Sequence, residues 1–248
     1  MKILGIIPAR YQSSRFPGKP LIDIAGKSMI QRVYEQCQKS TKLDKVIVAT
    51  DDQRILDHLK SFGAVGIMTS VNHTSGTDRC GEVAAQYPDF DILVNIQGDE
   101  PMINPTQIDL LCSCFDKIET QIATLVKKIT MKEELFNENT PKVILNKNQE
   151  AIYFSRQTIP FLRAKESKNW HEEYTFFKHI GIYGFRSKTL SEIIRLPQSS
   201  LEIAENLEQL RWIENRFNIQ CAITDQESQA IDTPDDLEKL SVQLKANQ

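Results

Sequence analysis

The chain has 248 residues, 40% of them hydrophobic and 25% charged, with a net charge of −3. That length supports a sizeable core and about one to two domains. A weakly acidic chain offers no overall field for nucleic acid or an anionic membrane, so an anion site must be a local gathering of cations. The five cysteines, Cys37, Cys80, Cys112, Cys114 and Cys221, form an odd set with no Cys-x-x-Cys pair. They argue for reduced thiols in the cytoplasm and against a disulfide frame or zinc site. The opening apolar run is short for a signal peptide and is interrupted by Pro8 and Arg10, and no stretch reaches the roughly 20 apolar residues of a membrane span.

In chain order, Ile3, Leu4, Ile6 and Ile7 predict a buried strand that loses its regularity at Pro8. The loop from Arg10 to Lys19 then sets Arg10, Arg15 and Lys19 among Ser13, Ser14, Pro17 and Gly18. Connections in α/β units usually run about 2–6 residues, so a longer one beside the first strand points to function. Cations, hydroxyls and freed backbone amides suit a polyphosphate; the alternative is a solvated basic loop. Gly26-Lys27-Ser28 looks like the tail of a Walker A loop, but Leu21 occupies the required upstream Gly position. A turn before a helix begun near Ser28 is the better reading. No Gly-x-Gly-x-x-Gly occurs, which weighs against a dinucleotide site.

Met29, Ile30, Val33, Tyr34 and Cys37 have helical spacing, and Val46 to Thr50 is a β-branched strand. Ile55, Leu56, Leu59 and Phe62 predict a helix, Ala64 to Met68 a strand, Ser75 to Gln86 a helix, Phe90 to Gln97 a strand, and Pro105 to Lys117 a helix. Such alternation predicts a parallel, three-layer α/β sheet. From about residue 121 the rhythm changes. Ile122–Val126, Val143–Leu145 and Ala151–Phe154 are strands without obvious intervening helices, and Lys178–Arg186 is another. Leu207–Phe217 and Pro234–Leu244 are helical in pattern. With no repeat or low-complexity linker, the expectation is one domain over 1–248, with a sub-lobe at about 140–186 built for substrate or a partner subunit.

Gln97-Gly98-Asp99-Glu100 ends a hydrophobic strand, where ligands gather in open α/β sheets. Asp99 there can hold Mg2+, which takes one or two carboxylates plus substrate oxygens; the alternative is a solvated acidic turn. Asp232 is a second candidate, or a helix cap, while Asp235 and Asp236 favour the dipole of the helix that follows. Thr74 to Arg79 offers either a surface for base or ribose or a plain capped helix start. Arg156 and His179 are polar residues beside apolar strand positions, and a lone His there is more often a satisfied core residue. Trp170, Tyr174, Phe176 and Phe177 are core or dimer contacts. Residues alone support a Mg2+-dependent α/β enzyme acting on a phosphate ester.

Taken together, these motifs resemble the 3-deoxy-manno-octulosonate (KDO) cytidylyltransferases over essentially the whole chain. The carriers are Ile-Pro-Ala-Arg-Tyr to Lys-Pro-Leu (6–21), Val-Ala-Thr-Asp (48–51), Ser-Gly-Thr-Asp-Arg (75–79), Asn-Ile-Gln-Gly-Asp-Glu-Pro (95–101) and Tyr-Phe-Ser-Arg (153–156) with Ile159-Pro160. His-Ile-Gly-Ile-Tyr-Gly-Phe (179–185), Leu-Glu-Gln-Leu-Arg (207–211) and Ile-Asp-Thr-Pro-Asp-Asp-Leu (231–237) complete the set. The resemblance implies a Rossmann-like nucleotide-diphospho-sugar transferase fold with a mixed, mostly parallel sheet. It also implies a cytoplasmic homodimer that makes CMP-KDO and pyrophosphate from CTP and KDO, with Mg2+, for lipopolysaccharide synthesis. By position, Arg10, Ser13, Arg15 and Lys19 would bind the triphosphate, and Ala9, Ser75 and Gly76 the cytidine. Gln97, Arg156, His179, Tyr183, Glu208 and Gln209 would surround the sugar acid. Asp99 and Asp232 would hold the metals, and with Arg10 and Lys19 form the catalytic set, so Asp99, Asp232 and Lys19 are expected to share a cleft. Ser70 and Asn72 depart from the Arg and Asp common in the family before its His-x-Ser-Gly-Thr element. Rival readings are a cytidylyltransferase for 8-amino-KDO or a sialic acid, and a non-catalytic nucleotide-binding protein; segments 153–160 and 179–185 speak against sialic acid.

Overall fold

The computed structural model describes residues 1–12, 16–227, 230–231 and 233–246. It divides into two units, Met1–Asp109 with Glu227–Gln248, and Leu110–Gln226. Ser13, Arg15 and Asp232 lie outside the described residues.

The first unit opens with β1 (Ile3–Ala9), whose apolar, β-branched residues are almost all buried. A hairpin follows, β2 (Asp23–Ile24) and β3 (Lys27–Ser28). It turns through Ala25 and Gly26, both at positive φ (50° and 83°), as a tight hairpin of this hand requires. Ser28 then caps α1 (Met29–Cys37), its hydroxyl accepting from the Gln31 amide at 3.2 Å. The Gly-Lys-Ser triplet is therefore a turn and a cap, as expected. Next come β4 (Lys45–Thr50), α2 (Gln53–Ser61), β5 (Gly66–Met68), α3 (Gly76–Gln86), β6 (Ile92–Asn95) and α4 (Pro105–Ser113). In this unit β1 pairs in parallel with both β6 and β4, and β4 with β5. The expected alternation thus becomes a parallel sheet whose carboxyl ends all point one way.

In the second unit, β7 (Ile122–Lys128) precedes α5 (Lys132–Leu135), β8 (Lys142–Leu145), β9 (Ala151–Ser155) and α6 (Trp170–Glu173). Then come β10 (Phe177–Arg186), α7 (Ser187–Ile193), α8 (Ser200–Glu205), α9 (Gln209–Glu214) and β11 (Ile219–Ile223). β11 pairs with β7 in parallel, while β10 runs antiparallel to β7 and β8, and β8 to β9. Strands β7 to β10 match the sequence reading; α5, α6, α7, α8 and β11 were not anticipated, and the helix expected at 207–217 shortens to α9. Helices of four to seven residues complete too few turns to display an apolar stripe, so periodicity cannot reveal them.

The chain returns to the first unit with α10 (Pro234–Ala246), whose Leu240 joins Ile24, Met29 and Ile231 in a buried cluster. No helix among the described residues is long and apolar enough to cross a membrane.

Candidate active site

In the first unit the site grows from the carboxyl ends of β1 and β6. Ile96 donates its amide to the Ile6 carbonyl at 2.9 Å, which carries the pairing one residue past β6. Gly98 then touches β1 backbone to backbone: a Cβ there would lie 2.6 Å from the Pro8 carbonyl oxygen. The closeness brings Gln97 and Asp99 beside Ala9 and Arg10, around a cavity of about 170 Å³ that Lys19 also lines. Lys19 begins a short 3-10 turn, preceded by Gly18 at φ 72°. The Gly18 amide donates to the Tyr11 carbonyl at 2.8 Å. Lys19 Nζ reaches Asp99 Oδ2 at 2.8 Å, with the Lys 12% and the Asp 33% exposed.

The buried Ile231 donates its amide to the Asp99 carbonyl at 2.9 Å. Asp236, expected to favour the helix dipole, also accepts from the amide and hydroxyl of Thr233 at 2.9 and 2.8 Å. Ser75 is also a cap: its hydroxyl accepts from the Asp78 amide at 3.1 Å while the Asp78 carboxylate accepts from the Ser75 amide. Gly76 lies against Pro8 and Asn95, so α3 starts at the rim of the strand ends. At the two positions that depart from the family pattern, Ser70 donates its amide to Glu82 at 2.9 Å and Asn72 donates its own to the Ser70 hydroxyl at 3.1 Å.

In the second unit a bulge in β10 between Ile180 and Tyr183 sets His179 and Tyr183 opposite Val126 and Thr124, neighbouring same-face positions of β7, with their rings 5.1 Å apart. Thr124 of β7 fills the bulge, donating its hydroxyl proton to the Ile182 carbonyl at 2.8 Å. A hydroxyl has one proton to give, so the 3.0 Å contact with His179 Nε2 requires the imidazole to donate there. His179 Nδ1 is thus left as an acceptor. Burial pulls the imidazole pKa down to about 3. Tyr183 stacks edge-on to Trp212 of α9, and burial, helped by the Glu208 carboxylate, raises its phenol well above the usual value. Two buried polar atoms here have no hydrogen-bond partner, Tyr183 Oη and Gln209 Nε2.

Arg156 sits beside the segment leading into Glu208. Its Nε, Nη1 and Nη2 donate to the carbonyls of Glu205, Glu138 and Asn206 at 2.6, 3.1 and 3.2 Å. Much of the fork expected to meet a carboxylate therefore organises backbone. Among the described residues no group of three His, Cys, Asp or Glu could hold a metal.

A family profile described as Cytidylyltransferase matches residues 4–221. The 3-deoxy-manno-octulosonate cytidylyltransferase of Parabacteroides distasonis is 56% identical, over 96% of each chain. The chain belongs to the 3-deoxy-manno-octulosonate cytidylyltransferase family. The family member of Bacteroides thetaiotaomicron is 54% identical over 99% of each chain. A CMP:2-keto-3-deoxy-manno-octonic acid synthetase solved in complex with CTP superposes with a TM-score of 0.93 at 41% identity, covering 100% of both chains. As a cytidylyltransferase, this protein is a nucleotidyltransferase enzyme, and its mixed, mostly parallel α/β class is the one the sequence implied.

For this cytidylyltransferase the sequence reading missed residues that act through others. Thr124, which sets the His179 tautomer, showed only as a polar residue inside the apolar run Ile-Ala-Thr-Leu-Val. Glu205 accepts from the Arg156 amide at 2.9 Å, and fully buried Lys142 donates to the Asn137 carbonyl at 2.9 Å and to that of Arg156; neither carried a signal.

The depressed His179 pKa has a thermodynamic consequence. Between the unfolded value of about 6.5 and the folded value near 3, the unfolded chain holds the extra proton, so stability is lost as pH falls. Thermal melts from pH 7 to pH 5 should show a decline of roughly 1 kcal/mol per pH unit that is shallower in His179→Asn. Parallel declines in the two proteins would remove His179 as the source.

Proposed function

We propose that this protein transfers CMP from CTP to the anomeric hydroxyl of KDO, releasing pyrophosphate, as a cytoplasmic homodimer serving lipopolysaccharide synthesis. The observation that carries the reading is the Lys19–Asp99 pair in the β1–β6 cavity of a chain related over its length to KDO cytidylyltransferases. The exposed apolar side chains Ile152 and Phe161 are candidates for the dimer interface.

The anomeric hydroxyl oxygen attacks the α-phosphorus in line, its proton passing to solvent, as the bond from the α-phosphorus to the bridging α–β oxygen breaks and its electron pair leaves with pyrophosphate. Such a displacement depends on positioning and charge neutralisation more than on covalent help. Arg10 and Lys19, with Ser13 and Arg15, grip the triphosphate and offset charge growing on the leaving pyrophosphate. Ala9, Ser75 and Gly76 face the cytidine. In the second unit Arg156, His179, Tyr183, Glu208 and Gln209 offer the sugar acid its hydrogen-bonding groups, neutral His179 accepting a hydrogen bond from a hydroxyl at Nδ1, and in the first unit Gln97 lines the cavity with Asp99. The partnerless Tyr183 Oη and Gln209 Nε2 support a ligand rich in hydroxyls.

Asp99 fits Mg2+: its carboxylate is one-third exposed in the cavity, beside Lys19. One or two carboxylates completed by phosphate oxygens and water are a donor set Mg2+ favours. When bound, the ion would supply positive charge to the phosphate oxygens.

The deciding assay follows pyrophosphate release from CTP and Mg2+ with KDO, 8-amino-KDO and a sialic acid as acceptors. KDO is expected to give the highest kcat/KM, and excess EDTA to abolish turnover. Preference for another acid would reassign the substrate, and turnover surviving EDTA would end the Mg2+ proposal. Lys19→Ala should raise the KM for CTP about tenfold or more, with a smaller change for KDO; the reverse pattern would move Lys19 to the sugar acid.

A further inference from the structure

Two motifs are not absorbed by this mechanism, Val-Ala-Thr-Asp at 48–51 and the Arg that ends Ser-Gly-Thr-Asp-Arg at 75–79. The fold brings them together. β1 and β4 are parallel, and their last paired rung is Ala9 opposite Thr50. Arg10 and Asp51 are therefore the first residues beyond two adjacent strand ends. Arg79, on α3, is 1% exposed in its side chain and reaches Asp51 Oδ2 through Nη2 at 2.7 Å. Its Nη1 donates to the Thr69 hydroxyl, which itself donates to the Thr50 carbonyl at 3.1 Å. The same Asp51 oxygen, Oδ2, lies 3.5 Å from Arg10 Nε, with Arg10 48% exposed.

We infer that Asp51 is a positioning residue: held by buried Arg79, it aims Arg10 at the triphosphate. This rests on the reading of the β1–β6 cavity as a CTP site. The two contacts differ in kind. A buried guanidinium is costly without a partner, so the Asp51–Arg79 contact is permanent structure. The Arg10 contact is long and half in water, the class of ion pair that holds a side chain only weakly. It narrows the conformations open to Arg10 without trapping it, and it can persist at Nε while the terminal amines turn to a triphosphate. Restricting a long cation before the ligand arrives lowers the ordering cost of binding. The contact engages Nε and leaves the terminal amines, the end suited to paired phosphate oxygens, available to the cavity that Arg10 lines.

The bland alternative is that Asp51 merely neutralises Arg79 and so keeps α3 in place. Ser75 and Gly76 start that same helix, so a purely structural loss would harm recognition of the nucleoside as much as of the phosphates. Binding of CTP and of cytidine, measured by competition on the full chain, separates the two. Asp51→Asn is expected to weaken CTP about three- to fivefold and cytidine less than about 1.5-fold. In an Arg10→Gln background the same substitution should add less than about a further twofold for CTP, because both act through one contact. Equal losses for CTP and cytidine, or independent effects of the two substitutions, would overturn the inference. Should Asp51→Asn fail to fold with Arg79 unpaired, Asp51→Asn/Arg79→Gln removes both charges and faces the same comparison. A wild-type chain that binds no CTP would instead refute the CTP reading; one that binds CTP while the variants match it refutes Asp51 alone.

Discussion

Asp99→Asn is expected to lower kcat by about 10²–10³-fold while the protein stays folded. The substitution keeps the shape of the side chain and removes its charge where Lys19 closes to 2.8 Å. In the free enzyme that carboxylate holds Lys19 within the cavity; in the proposed complex it would also supply an oxygen to Mg2+. Losing both leaves the α-phosphate and the leaving pyrophosphate with less compensating charge as the transition state forms. Stability should change little, by about 1 kcal/mol or less, because the pair is partly solvated. Pyrophosphate release under saturating substrates and a thermal melt measure the two effects. Turnover within tenfold of wild type would remove Asp99 from the reaction.

Gly98→Ala should damage both stability and activity. The added Cβ would sit 2.6 Å from the Pro8 carbonyl oxygen and 3.5 Å from Ile7 Cγ2. The nearer atom is strand backbone, which no rotamer change can move, so β1 and the 97–99 segment must separate. Such overpacking costs about 1–3 kcal/mol. The separation also shifts Asp99 away from Arg10 and Lys19, and a misplacement of about 1 Å can cost on the order of 10²-fold in rate. Denaturant midpoints and kcat/KM should fall together; an Ala variant matching wild type in both would mean the two segments are not in tight contact.

These two neighbours, Gly98 and Asp99, show how far the sequence carries. A hydrophobic run ending in Gln-Gly-Asp is legible as a strand that delivers a carboxylate to a ligand face. That the Gly is required by the Pro8 carbonyl, 90 positions earlier in the chain, is not legible, since nothing local records which backbone will lie alongside. Arg156 teaches the opposite lesson. Its residue type suggests a carboxylate partner, yet three of its nitrogens meet the carbonyls of Glu138, Glu205 and Asn206. Side-chain chemistry lists what a group can bind; the neighbours decide what it does bind.

The amino-acid order by itself determined the elements that depend on near neighbours: the strands at 3–9 and 45–50, the Ser28 and Ser75 caps, the turn at Gly26 and the helix opening at Pro234. Strand alternation, capping hydroxyls and positive-φ turns act within a few residues, so their signals are written locally. Only the tertiary structure decided that Asp51 stands between Arg79 and Arg10, that Thr124 sets the tautomer of His179, and that Lys19 meets Asp99. Those contacts join residues between 28 and 80 positions apart. Their geometry follows from strand register and from burial of charge, both properties of the assembled chain.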